Sequence, residues 1–378
     1  MTDLERFLAC MEYQSCDRRP NHELCAWPQA LARWQKESPE ASKISNGYWL
    51  DSEDSLGLDR REYIPVNYGF IPPYRHKILE ETPNYQVFRD DLGRTRKQLK
   101  EGMLEGTPMS MDQYLEFPLR TPEDWPNIKR RLVSGIPKRY PGDLEQRIAR
   151  WKRRDYTLIL GENCAANGFY WRSREFMGTE GLSLAWYDYP NLMHEIMEWY
   201  ANFIIDTSRP VLEKIQPEYF LFNEDLSGKN GPLLSPRMYR EFIQPNRRRV
   251  IDFMKSMGVK YIGLDTDGDP TLVLGMMMDA GVDALMPIEQ AAGVSPQGLR
   301  KQFGKSLRLW GGVDKRVLTQ GPKAIRAHLR SFIPLIEEGG FIPTVDHCVP
   351  PDVSWDNFRY YMEAKNALLS GDYARLEP

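Results

Sequence analysis

"VKYIGLDTDGDPTLVLGMMMDAG", residues 259–281, decides how the rest of the chain reads. Its opening run is short, nearly continuously apolar and ended by turn residues, which predicts a buried strand. "DTDGDP" then supplies turn chemistry, and Pro270 suits the first position of a helix. "PTLVLGMMMDAG" follows as a short helix, with "GMMMDAG" reading as helix core. Strand, polar turn and helix form one unit.

The unit recurs on both sides. "YTLILGE" (156–162) precedes the amphipathic "PNLMHEIMEWYANFIIDTSRPVLEKI", and "EYFLFNED" (218–225) precedes "SPRMYREFIQPNRRRVIDFMKSMG", with Ser235 as cap, Pro236 at the first position and Gly258 as stop. "VDALMPIE" precedes "SPQGLRKQFG", "SLRLWGGVD" precedes "GPKAIRAHLRSFIPLIEEGG", and "FIPTVDH" precedes "SWDNFRYYMEAKNALLSG". Six strand-helix units in about 210 residues imply parallel pairing through crossovers. Upstream, "RRPNHELCAWPQALARWQKES" reads as another such unit and "REYIPVNYGFIPPY" holds a further apolar run. Eight strands close a (β/α)₈ TIM barrel, the predicted fold. An open doubly wound sheet is the runner-up, but no G-x-G-x-x-G follows an early strand.

One domain, residues 1–378, is expected, since no linker or low-complexity segment divides it. Residues 71–150, with "PNYQVFRDDLGRTRKQLKEG" and "FPLRTPEDWPNI", read as a decorating, lid-like insertion carrying a small hairpin and a surface helix. The run "PNRRRV" (245–250) reads as a solvated helix face.

With a formal charge of −3 and a pI near 6.1, the chain lacks the basic surface that binding to a phosphate backbone needs. There is no apolar run of about 18 residues and no signal-peptide pattern, so a cytoplasmic protein with no membrane partner is expected. Five scattered cysteines (Cys10, Cys16, Cys25, Cys164, Cys348), without a C-x-x-C pair, indicate neither a disulfide framework nor a zinc ribbon.

Catalytic groups of such barrels lie at the C-terminal ends of the strands. Those ends offer Glu23, Glu162 with Asn163, Glu224 with Asp225, Asp265 with Asp267 and Asp269, Glu289, Asp314, and Asp346 with His347 and Cys348. Carboxylates sharing a cavity repel one another unless a cation or an imidazole compensates. Asp265, Asp267 and His347, with Glu224 as fourth ligand or proton donor, are the candidate metal set, and zinc is the expected ion. The candidate catalytic residues are His347, Asp265 and Glu224. Asp269 is assigned to capping the helix that starts at Pro270, and Cys348 to the core. Tyr68, Phe70, Tyr170 and Trp171 read as core aromatics that can also wall a pocket.

"LRLWGGVDKRVLTQGP", "KNGPLLSPRMYREFIQP" and "GGFIPTVDHCVPPDVSWDNF" together resemble the uroporphyrinogen decarboxylase superfamily, which includes corrinoid-dependent methyltransferases. The resemblance implies a (β/α)₈ barrel with its pocket at the strand C-termini. It also implies an arginine-bearing glycine-rich motif in true decarboxylases, where "RRPNHELCAW" offers His22 and Glu23 instead. In the methyltransferase branch it implies zinc ligands at positions that align with Asp265, Asp267 and His347. Metal-assisted transfer of a methyl group from a small methylated or methoxylated substrate is therefore expected, with the corrinoid carried by a partner protein or met as free cobalamin. Two alternatives are a metal-free decarboxylase or lyase using His347 and Asp265 as its acid/base pair, and a non-catalytic binding barrel.

Overall fold

The computed structural model describes residues 1–44, 56–104, 107–108, 111–161 and 167–377. Its core is a curled parallel sheet of seven strands, in the order Arg61–Ile64, Thr157–Leu160, Tyr219–Asn223, Tyr261–Asp265, Ala284–Met286, Arg308–Trp310 and Phe341–Ile342. The order follows the sequence, as crossover units dictate. Residues 21–26 occupy the eighth position. On one side the Asp59 N–H donates to the Asn21 carbonyl at 2.8 Å; on the other, Val349 N–H donates to the Cys25 carbonyl at 2.8 Å and Ala26 bridges Val349 in parallel. The chain is a (β/α)₈ barrel of the expected type.

Strand residues alternate between two hydrophobic clusters, as the pleat requires. Ile159, Tyr219, Leu221, Tyr261, Met286, Trp310 and Ile342 fill the barrel interior, plugged at its N-terminal end by Phe7, Cys10 and Met11 of the first helix, Asp3–Met11. Leu158, Leu160, Phe220, Phe222, Ile262 and Leu264 face the outer helices instead. Room inside is limited. A Cβ on Gly263 would lie 1.9 Å from the Tyr219 hydroxyl, so glycine at that position lets the tyrosine cross the barrel.

The helix signals hold: the Ser235 side chain accepts from the Met238 N–H, and Gly258 ends its helix with φ +92°. Two expectations are corrected. The insertion is more than a hairpin, because Tyr85–Arg89 and Thr95–Leu99 are flanked by Lys77–Glu81 and Gln113–Glu116 in a four-stranded antiparallel sheet. It is tied to the barrel's flank by the Leu119 N–H to the Phe176 carbonyl and by Trp125 packing edge-on against Trp199. Secondly, Cys25 and Cys348 form a disulfide. Their 323-residue separation made the pair invisible to spacing rules, and closure of the barrel sets the two segments side by side. Cys348 is nonetheless buried in the interior cluster, as the core assignment expects. Among the described residues, no helix is long and apolar enough to cross a membrane.

Candidate functional site

Asp265 is the last residue of its strand and sits in register with Asn223 at the end of the neighbouring one. Both belong to the interior-facing phase of the pleat, so their side chains meet where the barrel opens. The Asn223 Nδ2–H donates to Asp265 Oδ2 at 2.7 Å, and Asp265 is only 7% exposed. Burial, reinforced by the charges of Asp267 and Asp225, pushes the Asp265 carboxyl well above the usual carboxylate range.

The following turn carries Asp267, whose Oδ2 lies 3.4 Å from His347 Nε2. Burial alone would lower the imidazole, but hydrogen bonding and charge from Asp267 outweigh it, and His347 is raised. The Trp27 ring flanks His347 with centroids 5.9 Å apart. Asp225 adopts a left-handed φ of +41°, which turns its carboxylate toward the same turn: Oδ1 lies 3.5 Å from the Asp267 N–H and Oδ2 lies 3.3 Å from Arg174. Burial and the neighbouring Asp267 raise Asp225 as well. Glu289 closes the rim through Lys315 at 3.0 Å and through the Gly268 N–H.

Other candidates are engaged elsewhere. Glu224 is corrected from ligand or proton donor to architecture. It is fully buried, with Oε1 accepting from the Phe169 N–H at 2.9 Å and Oε2 from the Tyr170 N–H at 2.7 Å, and it pairs with Arg247. The helix Phe169–Asp188 begins at Gly168 with no side-chain cap of its own, so the carboxylate supplies the anion its N-terminus lacks. Arg247 correspondingly departs from the solvated reading of "PNRRRV", having no exposed surface, whereas Arg248 and Arg249 are exposed as that reading expects.

Glu23 is buried against Lys365, Tyr361 and the Val345 N–H. Asp346 accepts from the Gln290 and Lys315 N–H groups, Asp314 pairs with Arg316, and Asp269 accepts from the Thr271 N–H at the helix start. Tyr68, Phe70 and Tyr170 are core residues. Glu162 and Asn163 lie outside the described residues. Sequence reasoning missed Asn223, Arg174, Lys315 and Trp27, which carry no recognisable catalytic motif. Asn223 alone had a signal, its place one residue before the acids at a strand end.

The residues do not fit the zinc set. Among the described residues, no three His, Cys, Asp or Glu side chains converge as metal donors, and Glu224 is committed to Arg247 and the helix N-terminus. What the mouth offers is a buried carboxyl that favours its protonated form, beside an imidazole–carboxylate pair. That arrangement suits proton donation.

Comparison with known proteins agrees with the architecture. A uroporphyrinogen decarboxylase of Nocardia farcinica (strain IFM 10152) is 32% identical over 127 residues, which cover 32% of this chain and 34% of that protein; the match thus spans about a third of the relative's length. The structure of a methyltransferase from Methanosarcina mazei superposes with a TM-score of 0.58 at 16% identity, covering 97% of this chain and 98% of that one. A B12-independent methionine synthase from Shewanella sp. W3-18-1, in complex with selenomethionine, gives a TM-score of 0.44 at 9% identity over 94% and 98% of the two chains. Residues 174–368, more than half of the chain, match the uroporphyrinogen decarboxylase (URO-D) family. The chain therefore belongs to the uroporphyrinogen decarboxylase family.

Proposed function

We propose that this protein is a methyltransferase that moves a methyl group from a small methylated or methoxylated substrate to a corrinoid, free or carried by a partner protein, with Asp265 as the acid. The observation that carries the reading is the buried carboxyl at the end of the Tyr261–Asp265 strand, held by Asn223 and crowded by Asp225 and Asp267. Cleaving a methyl–oxygen bond requires the leaving oxygen to be stabilised, and a neutral carboxyl does this by giving up its proton. In balance, the electron pair of the nucleophile forms the new bond to the methyl carbon. The C–O pair stays on oxygen, which takes the proton of Asp265 and leaves as an alcohol. Asp265 ends as the carboxylate and regains its proton from solvent.

Charge at the mouth favours this over decarboxylation. Even with Asp265 neutral, Asp225, Asp267, Glu289 and Asp346 outnumber Arg174, Lys315 and His347 among the described residues, and each of those cations already faces a carboxylate. A polycarboxylate would meet net repulsion there. The imidazole of His347, anchored on Asp267, gives a neutral substrate one positive N–H to orient against.

The test is transfer of methyl to cob(I)alamin, followed by its visible spectrum, across a panel of methoxylated compounds with and without chelator. Expected are turnover insensitive to chelator and a loss of about 10²- to 10⁴-fold in Asp265→Asn. Release of CO₂ from a carboxylated substrate, with no methyl transfer to any acceptor, would overturn the assignment.

A further inference from the structure

Asn223 has no part in the reaction as written, yet it is 4% exposed and its only side-chain hydrogen bond among the described residues runs to Asp265. Its backbone is fixed as well: the Asn223 N–H donates to Asn167 Oδ1 at 3.1 Å, and Asn167 Nδ2–H donates to the Leu221 carbonyl at 2.5 Å. One polar atom is left over. The Asn223 Oδ1 is sealed from solvent without a partner.

We propose that Asn223 is the positioning residue of the acid: its amide N–H holds Asp265 Oδ2 as an acceptor and thereby assigns the transferable proton to Oδ1. The inference rests on the reading of Asp265 as proton donor and adds which oxygen acts and what selects it. A carboxyl oxygen that accepts from an amide N–H is the carbonyl end of the acid, so the proton resides on its sibling. Oδ1 makes no hydrogen bond among the described residues, so it is the oxygen left for a substrate.

The amide's orientation follows from what each choice leaves unpaired. As found, one buried carbonyl and the amide's second N–H lack partners among the described residues. Turned over, the amide would accept from a protonated Oδ2 and leave an NH₂ with two unmatched donors in the same enclosed space. Under-satisfied carbonyls are the more tolerated of the two. A chemical reason points the same way: a donor on Oδ2 strengthens once Asp265 has lost its proton, so Asn223 stabilises the product side of the transfer.

The two orientations predict opposite signs. With Asp carboxyl carbons labelled by ¹³C and the Asp265 resonance assigned by its absence in Asp265→Asn, the titration midpoint is read in the full-length protein, in Asn223→Leu and in Asn223→Ala. Loss of a donor to the ionised form should raise the midpoint by about one to two pH units in both variants, and the alkaline limb of the rate profile should follow. Two variants guard against one failing to fold, with circular dichroism as the check. A midpoint that falls, or stays within error in the folded variants, overturns the proposal. Because the titration is independent of turnover, a protein inert toward every methyl donor would remove the proposed activity and leave the role of Asn223 to be decided by the sign alone.

Discussion

Replacing Arg247 by Met, Glu224 by Gln, and both together separates architecture from chemistry at the one strand end where the two were confused. Neither side chain has any exposed surface, so each single substitution strands a buried charge or an empty acceptor. Breaking such a pair costs about 3–5 kcal/mol. With an unfolding entropy of about 2.1 cal/mol/K per residue, a 378-residue chain changes by roughly 0.8 kcal/mol per degree, so each single variant should lose about 4–6 °C in Tm. The double variant removes both charges. The glutamine introduced by Glu224→Gln would keep one acceptor for the Phe169 or Tyr170 N–H, leaving a residual loss of about 1–2 kcal/mol. The double-mutant cycle should therefore close with a coupling of about 4 kcal/mol or more, read by urea midpoints, while methyl transfer by the folded double variant stays within a few-fold of wild type. Additive losses would deny the buried pair. A folded, stable double variant with no activity would restore Glu224 to the chemistry.

Asp265→Asn should also report on stability. Because the folded carboxyl is raised, the folded state holds its proton more tightly than the unfolded chain; the wild type loses stability as pH climbs above about 3.9 toward the folded value, and the variant does not. Chemical denaturation should find the variant more stable at pH 8 and equal near pH 3; a less stable variant at pH 8 would contradict the burial argument. His347, also raised in the fold, has the same pH direction but a favourable contact behind it: its pair with Asp267 contributes fully below about pH 6.5 and fades as pH rises through the folded value. His347→Gln should therefore cost roughly 1 kcal/mol or less at pH 6 and nothing at pH 9, the pair being partly exposed. Finally, the chain has five cysteines, so with Cys25 and Cys348 joined, thiol titration in guanidinium should find three reactive groups without reductant and five after it. Five at the outset would remove the bridge.

Much of the barrel was legible because most strands are short, nearly continuous apolar runs and several helices carry their own punctuation, as at Ser235, Pro236 and Gly258. Contacts across the closure were not. Cys25 meets Cys348 and Trp27 meets His347 only because the first and last segments pair as neighbours, a fact no local spacing encodes. The size of the insertion's sheet was hidden for a related reason. Lys77–Glu81 is exposed along its whole length and lacks the alternation that marks a half-buried strand.

The confusion between Glu224 and its neighbours has a sharper cause. In "EYFLFNED" every position from Tyr219 to Phe222 is apolar, so the run declares a strand but not its phase: interior and exterior positions look alike. The structure sets Tyr219 and Leu221 inside and Phe220 and Phe222 outside, which carries Asn223 to the mouth and Glu224 out to the helices. One strand over, Tyr261 lies inside with Gly263 at the next interior position, and two residues later the same phase delivers Asp265 inward. A clue to that phase was present, since a glycine within an apolar strand marks a close approach, here by the Tyr219 hydroxyl. Counting two residues on from Gly263 selects Asp265, and the register with Asn223 then fixes the phase of the neighbouring strand. Which acids of a barrel do chemistry is thus a question of pleat parity. Parity becomes readable only where the interior is too crowded for a side chain.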